Sequence, residues 1–131
     1  MPRILIADDH DVVRRYIREI LEEESGWEVC AEAATGGEAI VMATAERPDI
    51  AILDLSMPDQ NGLEAAKEIH RRFPDTALLI LTVHDIPELA EEAAAMGVRA
   101  CLLKSDPYRL IAEIQAVLAQ RNRDRPKRRS V

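Results

Sequence analysis

Residues 50–62, Ile50-Ala-Ile-Leu-Asp-Leu-Ser-Met-Pro-Asp-Gln-Asn-Gly62, decide how the rest of the chain is read. Four apolar residues, Ile50 to Leu53, run without polar alternation. Such a run suits a strand covered on both faces, and so a parallel sheet packed between helices. Asp54 follows at once, and a carboxylate at the end of a buried strand needs a partner. Pro58 and Gly62 then read as loop geometry, since proline fixes φ and glycine admits close backbone approach.

Similar runs lie on both sides of this stretch. Ile4-Leu-Ile-Ala7, Ala77-Leu-Leu-Ile-Leu81 and Ala100-Cys-Leu-Leu103 are continuous and apolar. Val29-Cys-Ala-Glu-Ala33 is weaker and carries a charge, so it is placed at an edge of the sheet. Helical periods fall between them. Val12, Val13, Tyr16, Ile17, Ile20 and Leu21 share one face; so do Leu63, Ala66, Ile69 and Phe73, and then Leu110, Ile111, Ile114, Val117 and Leu118. Ile40 with Ala43, and Leu89, Ala90, Ala93 and Met96, predict two more helices. Ser25-Gly26, Pro48, Pro74 and Gly97 supply the stops. Strand and helix therefore alternate five times. With right-handed crossovers this predicts an α/β fold, a (βα)5 doubly wound parallel sheet.

The 131 residues suffice for one domain, and 47% are apolar. Aromatics are only 3%, so the core must come from Ile, Leu, Val, Ala and Met. No apolar run reaches the 18 or so residues of a membrane span, and no secretory signal opens the chain. The expectation is a cytoplasmic protein with no membrane partner. Cys30 and Cys101 sit in apolar runs without metal spacing and read as small buried hydrophobes. Charge divides sharply: residues 1–120 carry a net −12 and residues 121–131 a net +5, within a total of −7. The acidic body argues against direct nucleic-acid binding. The basic stretch 121–131, with Pro126, reads as a solvated tail or the start of a linker after a domain at 1–120.

In open parallel sheets ligands bind beyond the carboxyl ends of the strands, where strand order reverses. Asp8 and Asp9 follow the first strand, Asp54 the third, Thr82 the fourth and Lys104 the fifth. Only Ala34 and Thr35 follow the second. In the flavodoxin-like order 2-1-3-4-5 the first and third strands are neighbours, about 4.8 Å apart. Three carboxylates would then crowd one crevice and repel, raising at least one pKa unless cations intervene. A divalent cation and Lys104 would balance them. Oxygen ligands favour Mg²⁺ or Mn²⁺. A carboxylate can also attack phosphorus to form an acyl phosphate, with Thr82 and Lys104 contacting the product.

These pieces together resemble the response-regulator receiver family of two-component systems. The matching segments are Ile4-Leu-Ile-Ala-Asp-Asp9, Leu53-Asp-Leu-Ser-Met-Pro58 with Gly62, Leu79-Ile-Leu-Thr82 and Leu102-Leu-Lys104, spread over nearly the whole chain. The resemblance implies that Asp54 is the phosphoacceptor. It implies that Asp8, Asp9, Asp54 and the Ser56 backbone carbonyl hold Mg²⁺, and that Thr82 and Lys104 contact the phosphoryl group. A sensor histidine kinase would be the phosphodonor. Ala7-Asp-Asp-His-Asp11 and Lys104-Ser-Asp106 look most like the subgroup with a LuxR-type helix-turn-helix output domain. The chain would then be a stand-alone receiver or the first part of a transcriptional regulator, with DNA bound only through that further domain. The resemblance also admits a homodimer. Two positions depart from the pattern: Cys101 stands where many members have an aromatic, and Ser105 where many have proline, often after a cis bond.

Other readings are weaker. His10 and His84 read as exposed loop residues and His70 as a surface residue, not phosphocarriers. Gly36-Gly37 lacks the dinucleotide spacing and opens the second helix. An aspartate-nucleophile phosphatase would need an acid where Ser56 stands. A flavodoxin-like electron carrier would not place two carboxylates in its phosphate loop. A phosphate-independent receiver would be expected to have lost some of the five positions that are all present.

Overall fold

In a computed structural model that describes residues 1–124, ten elements alternate without interruption. They are β1 (Arg3–Ala7), α1 (Asp11–Glu22), β2 (Glu28–Ala33), α2 (Gly36–Glu46), β3 (Ile50–Asp54), α3 (Gly62–Arg72), β4 (Ala77–Thr82), α4 (Pro87–Ala95), β5 (Val98–Leu103) and α5 (Pro107–Asp124). The strands form one parallel sheet in the order β2-β1-β3-β4-β5. Fold class and strand order agree with the sequence reading. The weak strand, β2, is an edge.

Each strand residue points to one face or the other, so the sheet supports two cores. Leu5, Ala7, Ala51, Leu53, Leu78 and Ile80 meet α2, α3 and α4 through Ala39, Ala43, Leu63, Ala66, Ile69, Leu89 and Ala93. Ile4, Ile6, Ile50, Ile52, Leu79, Leu81 and Leu102 meet α1 and α5 through Ile17, Leu21, Leu110, Ile114 and Val117. The consecutive apolar runs are explained: odd and even residues are both buried, against different helices. Leu79→Ala, at a site with no solvent exposure, is expected to cost about 2–5 kcal/mol. Urea unfolding with an unchanged slope checks it.

Local signals close the helices. The Thr35 hydroxyl accepts from Glu38 N at 3.1 Å, and the Asn61 side chain accepts from Glu64 N at 2.9 Å. Pro87 opens α4, and Gly97, at φ +89°, turns the chain after it.

Two expectations are corrected. The apolar face of α1 is wider than its contact: Ile17 and Leu21 are buried, whereas Val12 is 82% and Tyr16 53% exposed. The pattern marks the side facing the sheet, but the neighbouring helix sets how far round the burial extends. Cys30 and Cys101 are half-buried, not enclosed. Helix α5 runs on to Asp124, so it takes in the first residues of the basic stretch 121–131. Arg121 binds Asp49 Oδ1 at 3.2 Å and the Asp75 carbonyl, so this turn packs on the domain. The remainder of the expected basic tail, 125–131, lies outside the described residues.

Candidate functional site

Register brings the acids together. Ala7 pairs with Leu53 across β1 and β3, so the next residues, Asp8 and Asp54, leave the sheet side by side. Asp54 pairs with Leu81 and Thr82 with Leu103, which brings the ends of β4 and β5 to the same rim. Backbone bonds extend this order into the loops, from Leu55 N to Leu81 O at 2.9 Å and from Lys104 N to Thr82 O at 2.9 Å. Asp8, Asp9, Asp54 and Lys104 therefore gather in one crevice, and register sets Thr82 at the same rim.

Asp8 is 1% and Asp54 4% exposed, unusual burial for carboxylates. Lys104 answers both: its Nζ lies 3.0 Å from Asp8 Oδ2 and 3.0 Å from Asp54 Oδ2. Asp8 Oδ1 accepts from His10 N at 2.9 Å, and Asp54 Oδ1 from Ser56 N at 3.2 Å. Burial pushes the Asp54 carboxyl above its ordinary range, and Asp8 adds to this, against the opposing pull of Lys104. For Lys104, burial works against the charge, but the ion pairs with Asp8 and Asp54 outweigh it and hold the ammonium above its usual value. One lysine thus faces a cluster of three carboxylates.

Asp8 Oδ2, Asp9 Oδ1 and Asp54 Oδ2 are buried without an aligned hydrogen-bond donor. Two of them have only the ammonium charge at ion-pair distance. Buried orphan oxygens are costly and rare in native proteins. One ligand atom from each of Asp8, Asp9, His10 and Asp54 falls within a group whose members are all within 4.8 Å of one another. Mostly oxygen donors, a deficit of positive charge and orphaned lone pairs suit a hard divalent cation.

Three partners were not read from the sequence. The His10 ring, exposed in its loop as expected, has Nδ1 3.1 Å from Asp9 Oδ1 and 3.4 Å from Asp8 Oδ1. Asp59, in the loop after β3, accepts from Gly36 N and Gly37 N, both at 2.8 Å. These two bonds hold its carboxyl below the ordinary range and tie the loop to the start of α2. Arg14 donates to the Asp8 carbonyl at 2.5 Å. Adjacency to Asp9 could have flagged His10; nothing local marks Asp59 or Arg14. Thr82 is at the rim, but its hydroxyl bonds the carbonyl and N–H of His84, each at 3.3 Å. No peptide bond among the described residues is cis, so Lys104–Ser105 is trans. Concavity alone would mislead: a depression of about 680 Å³ lies at the far end of the sheet, against Trp27, Asp49 and Arg121.

Comparison with known proteins agrees with this arrangement. Residues 4–115 match the model of the response regulator receiver domain. The oxygen regulatory protein NreC of Staphylococcus epidermidis is 43% identical over 117 residues, 88% of this chain and 54% of that protein. The response regulator UvrY of Escherichia coli is 36% identical over 118 residues, 89% of this chain and 54% of that one. The chain thus spans about half the length of these relatives. A crystal structure of a LuxR-family two-component response regulator from Aurantimonas sp. SI85-9A1 superposes with a TM-score of 0.87 at 36% identity, covering 92% of this chain and 86% of that chain. A CheY-like receiver domain protein from Methanospirillum hungatei gives 0.86 at 27% identity, covering 95% and 99%. Strand order, the acid cluster at the carboxyl edge and this sequence match converge: the chain belongs to the response regulator receiver domain family of two-component systems.

Proposed function

We propose that Asp54 is the phosphoacceptor of this receiver, with Asp8, Asp9, Asp54 and the Ser56 carbonyl holding Mg²⁺ or Mn²⁺. The observation that carries this reading is the buried carboxylate of Asp54, paired with Lys104 and set beside orphaned oxygens of Asp8 and Asp9. Bound there, the cation would offset the carboxylates and the charge developing on a transferring phosphoryl group. The donor is a phosphohistidine of a sensor kinase. An Asp54 oxygen attacks phosphorus, the phosphorus–nitrogen bond breaks, and its electron pair leaves on the imidazole. Lys104, already 3.0 Å from Asp54 Oδ2, stays with the product as its counter-charge. The domain acts only on itself, in the cytoplasm, and catalyses nothing further.

The output is a change of surface. To reach a phosphoryl group, the Thr82 hydroxyl must leave His84 and release the loop between β4 and α4. Beside that loop is a depression of about 200 Å³, lined in part by Ile86, Leu89, Ala90 and Cys101. Cys101 fills less of it than an aromatic would, so the loop itself has room to move inward. The half-length match to transcriptional regulators, one of them named as DNA-binding, supports a further DNA-binding domain as the reader of that change.

Incubation with acetyl phosphate, followed by intact mass, tests the reading. One phosphoryl group should be gained with Mg²⁺ and none without it. No gain at saturating donor would instead support a phosphate-independent receiver. Asp9→Ala is expected to weaken Mg²⁺ binding about tenfold or more by calorimetry, since a carboxylate ligand is lost. In the wild type, affinity should fall as pH is lowered. The Asp54 carboxyl takes its proton above the ordinary aspartate value of about 3.9, so protons compete with the cation from a higher pH than usual. An affinity flat down to pH 4 would count against Asp54 as a ligand. No described helix is long and apolar enough to cross a membrane.

A further inference from the structure

No acid or lysine directly follows strand β2, yet two of its last residues grip the loop that carries Asp8 and Asp9. The N–H of Asp8 donates to Ala33 O at 2.9 Å. The carbonyl of the same residue accepts from Arg14 Nη1 at 2.5 Å. Arg14 is itself anchored on β2, with Nε donating to Glu32 Oε1 at 3.1 Å, and Nη2 donates to Asp11 Oδ1 at 2.8 Å. The other Glu32 oxygen accepts from Arg18 Nη1 at 2.8 Å, and Arg18 Nε donates to Glu22. The Arg14 side chain is only 17% exposed. Both polar groups of the Asp8 backbone are therefore tied to adjacent residues of β2, one directly and one through a guanidinium.

We propose that Arg14 is a positioning residue for the cation site: it braces the Asp8 peptide against Glu32, so that the carboxylates of Asp8 and Asp9 are presented at fixed spacing. This rests on the reading of those carboxylates as ligands. The physical reason for arginine is its planar fork. Its three nitrogens reach a carbonyl and two carboxylates in fixed directions, whereas an ammonium on a flexible stem is a point charge. Groups that orient metal ligands commonly affect affinity by about 10–100-fold when removed.

A brace and a charge make opposite predictions. Arg14 brings a positive charge close to a cation site, so if charge were its only influence, its removal would strengthen Mg²⁺ binding. If it braces the loop, its removal weakens binding. The experiment is Mg²⁺ titration calorimetry on the whole chain for wild type, Arg14→Ala, Arg14→Lys and Glu32→Ala, with thermal unfolding in parallel. Affinity is expected to fall about tenfold in both Arg14 variants. It should fall by a smaller factor in Glu32→Ala, which keeps the Arg14 charge but removes its anchor. Tighter binding in Arg14→Ala, or wild-type affinity in Arg14→Lys, would overturn the proposal. So would lowered melting temperatures at unchanged affinity, the mark of a merely structural residue. A wild-type protein that binds no Mg²⁺ would remove the cation reading, and this proposal with it, and is told apart because every variant would then also be silent.

Discussion

Asp54→Ala is expected to abolish phosphorylation completely and to leave the fold standing. The loss is total because Asp54 is the acid that β3 itself delivers into the crevice, with Lys104 already at 3.0 Å. The fold survives because this carboxylate is a burden in the cation-free protein. Burial holds its pKa above the ordinary value, so ionising this carboxyl costs more in the folded chain than in the unfolded one. Removing the group therefore relieves a cost, and Lys104 keeps Asp8 at 3.0 Å. Intact mass after acetyl phosphate and Mg²⁺ should show one phosphoryl group on the wild type and none on the variant. The variant's melting temperature without Mg²⁺ should be no lower than that of the wild type. Full labelling of Asp54→Ala would move the acceptor elsewhere and refute the assignment.

Gly62→Ala, a single methyl, is expected to damage both stability and function. Gly62 opens α3, and its N–H donates to Leu55 O at 2.8 Å. A Cβ there would lie 2.3 Å from the Asp54 carbonyl oxygen and 3.1 Å from Ile80 Cδ1. The first contact is with backbone, which cannot swing aside as a side chain would. The requirement is for space, since Gly62 is not among the positive-φ glycines. Overpacking of this kind costs about 1–3 kcal/mol, although alanine is the better helix former. The displaced atoms belong to Asp54, the proposed phosphoacceptor, so labelling by acetyl phosphate should slow well beyond what the stability loss explains at a temperature where the variant is folded. Urea unfolding and the initial labelling rate measure the two effects separately. A variant as stable and as quickly labelled as the wild type would show that the loop after β3 yields.

Much of this was legible in the chain because its signals are local. The runs Ile4–Ala7, Ile50–Leu53 and Ala77–Leu81 identify strands buried on both faces, since a strand with one wet face would alternate. Asp8, Asp54, Thr82 and Lys104 could be named because each sits at or just past a strand end, and parallel topology places all such ends on one rim. Helix α1 shows the boundary of the method. Its period points Val12 and Tyr16 toward the core, yet they stay exposed, because a pattern gives the direction of a face but not the width of the neighbour that covers it.

Local order along the chain, then, is enough to establish a five-unit parallel sheet and the residue types gathered at its carboxyl edge, because both follow from the period of apolar residues and the handedness of crossovers. The supports of that edge are set at long range. Arg14 meets Glu32 across 18 positions, and Asp59 meets Gly36 across 23. Whether these groups touch depends on the register of β1 against β2 and on the path of the loop after β3. The same holds for the oxygens left without donors, and for the hydroxyl of Thr82 engaged with His84. Hydrogen bonds act over about 3 Å, and only the packed chain brings distant residues to that distance.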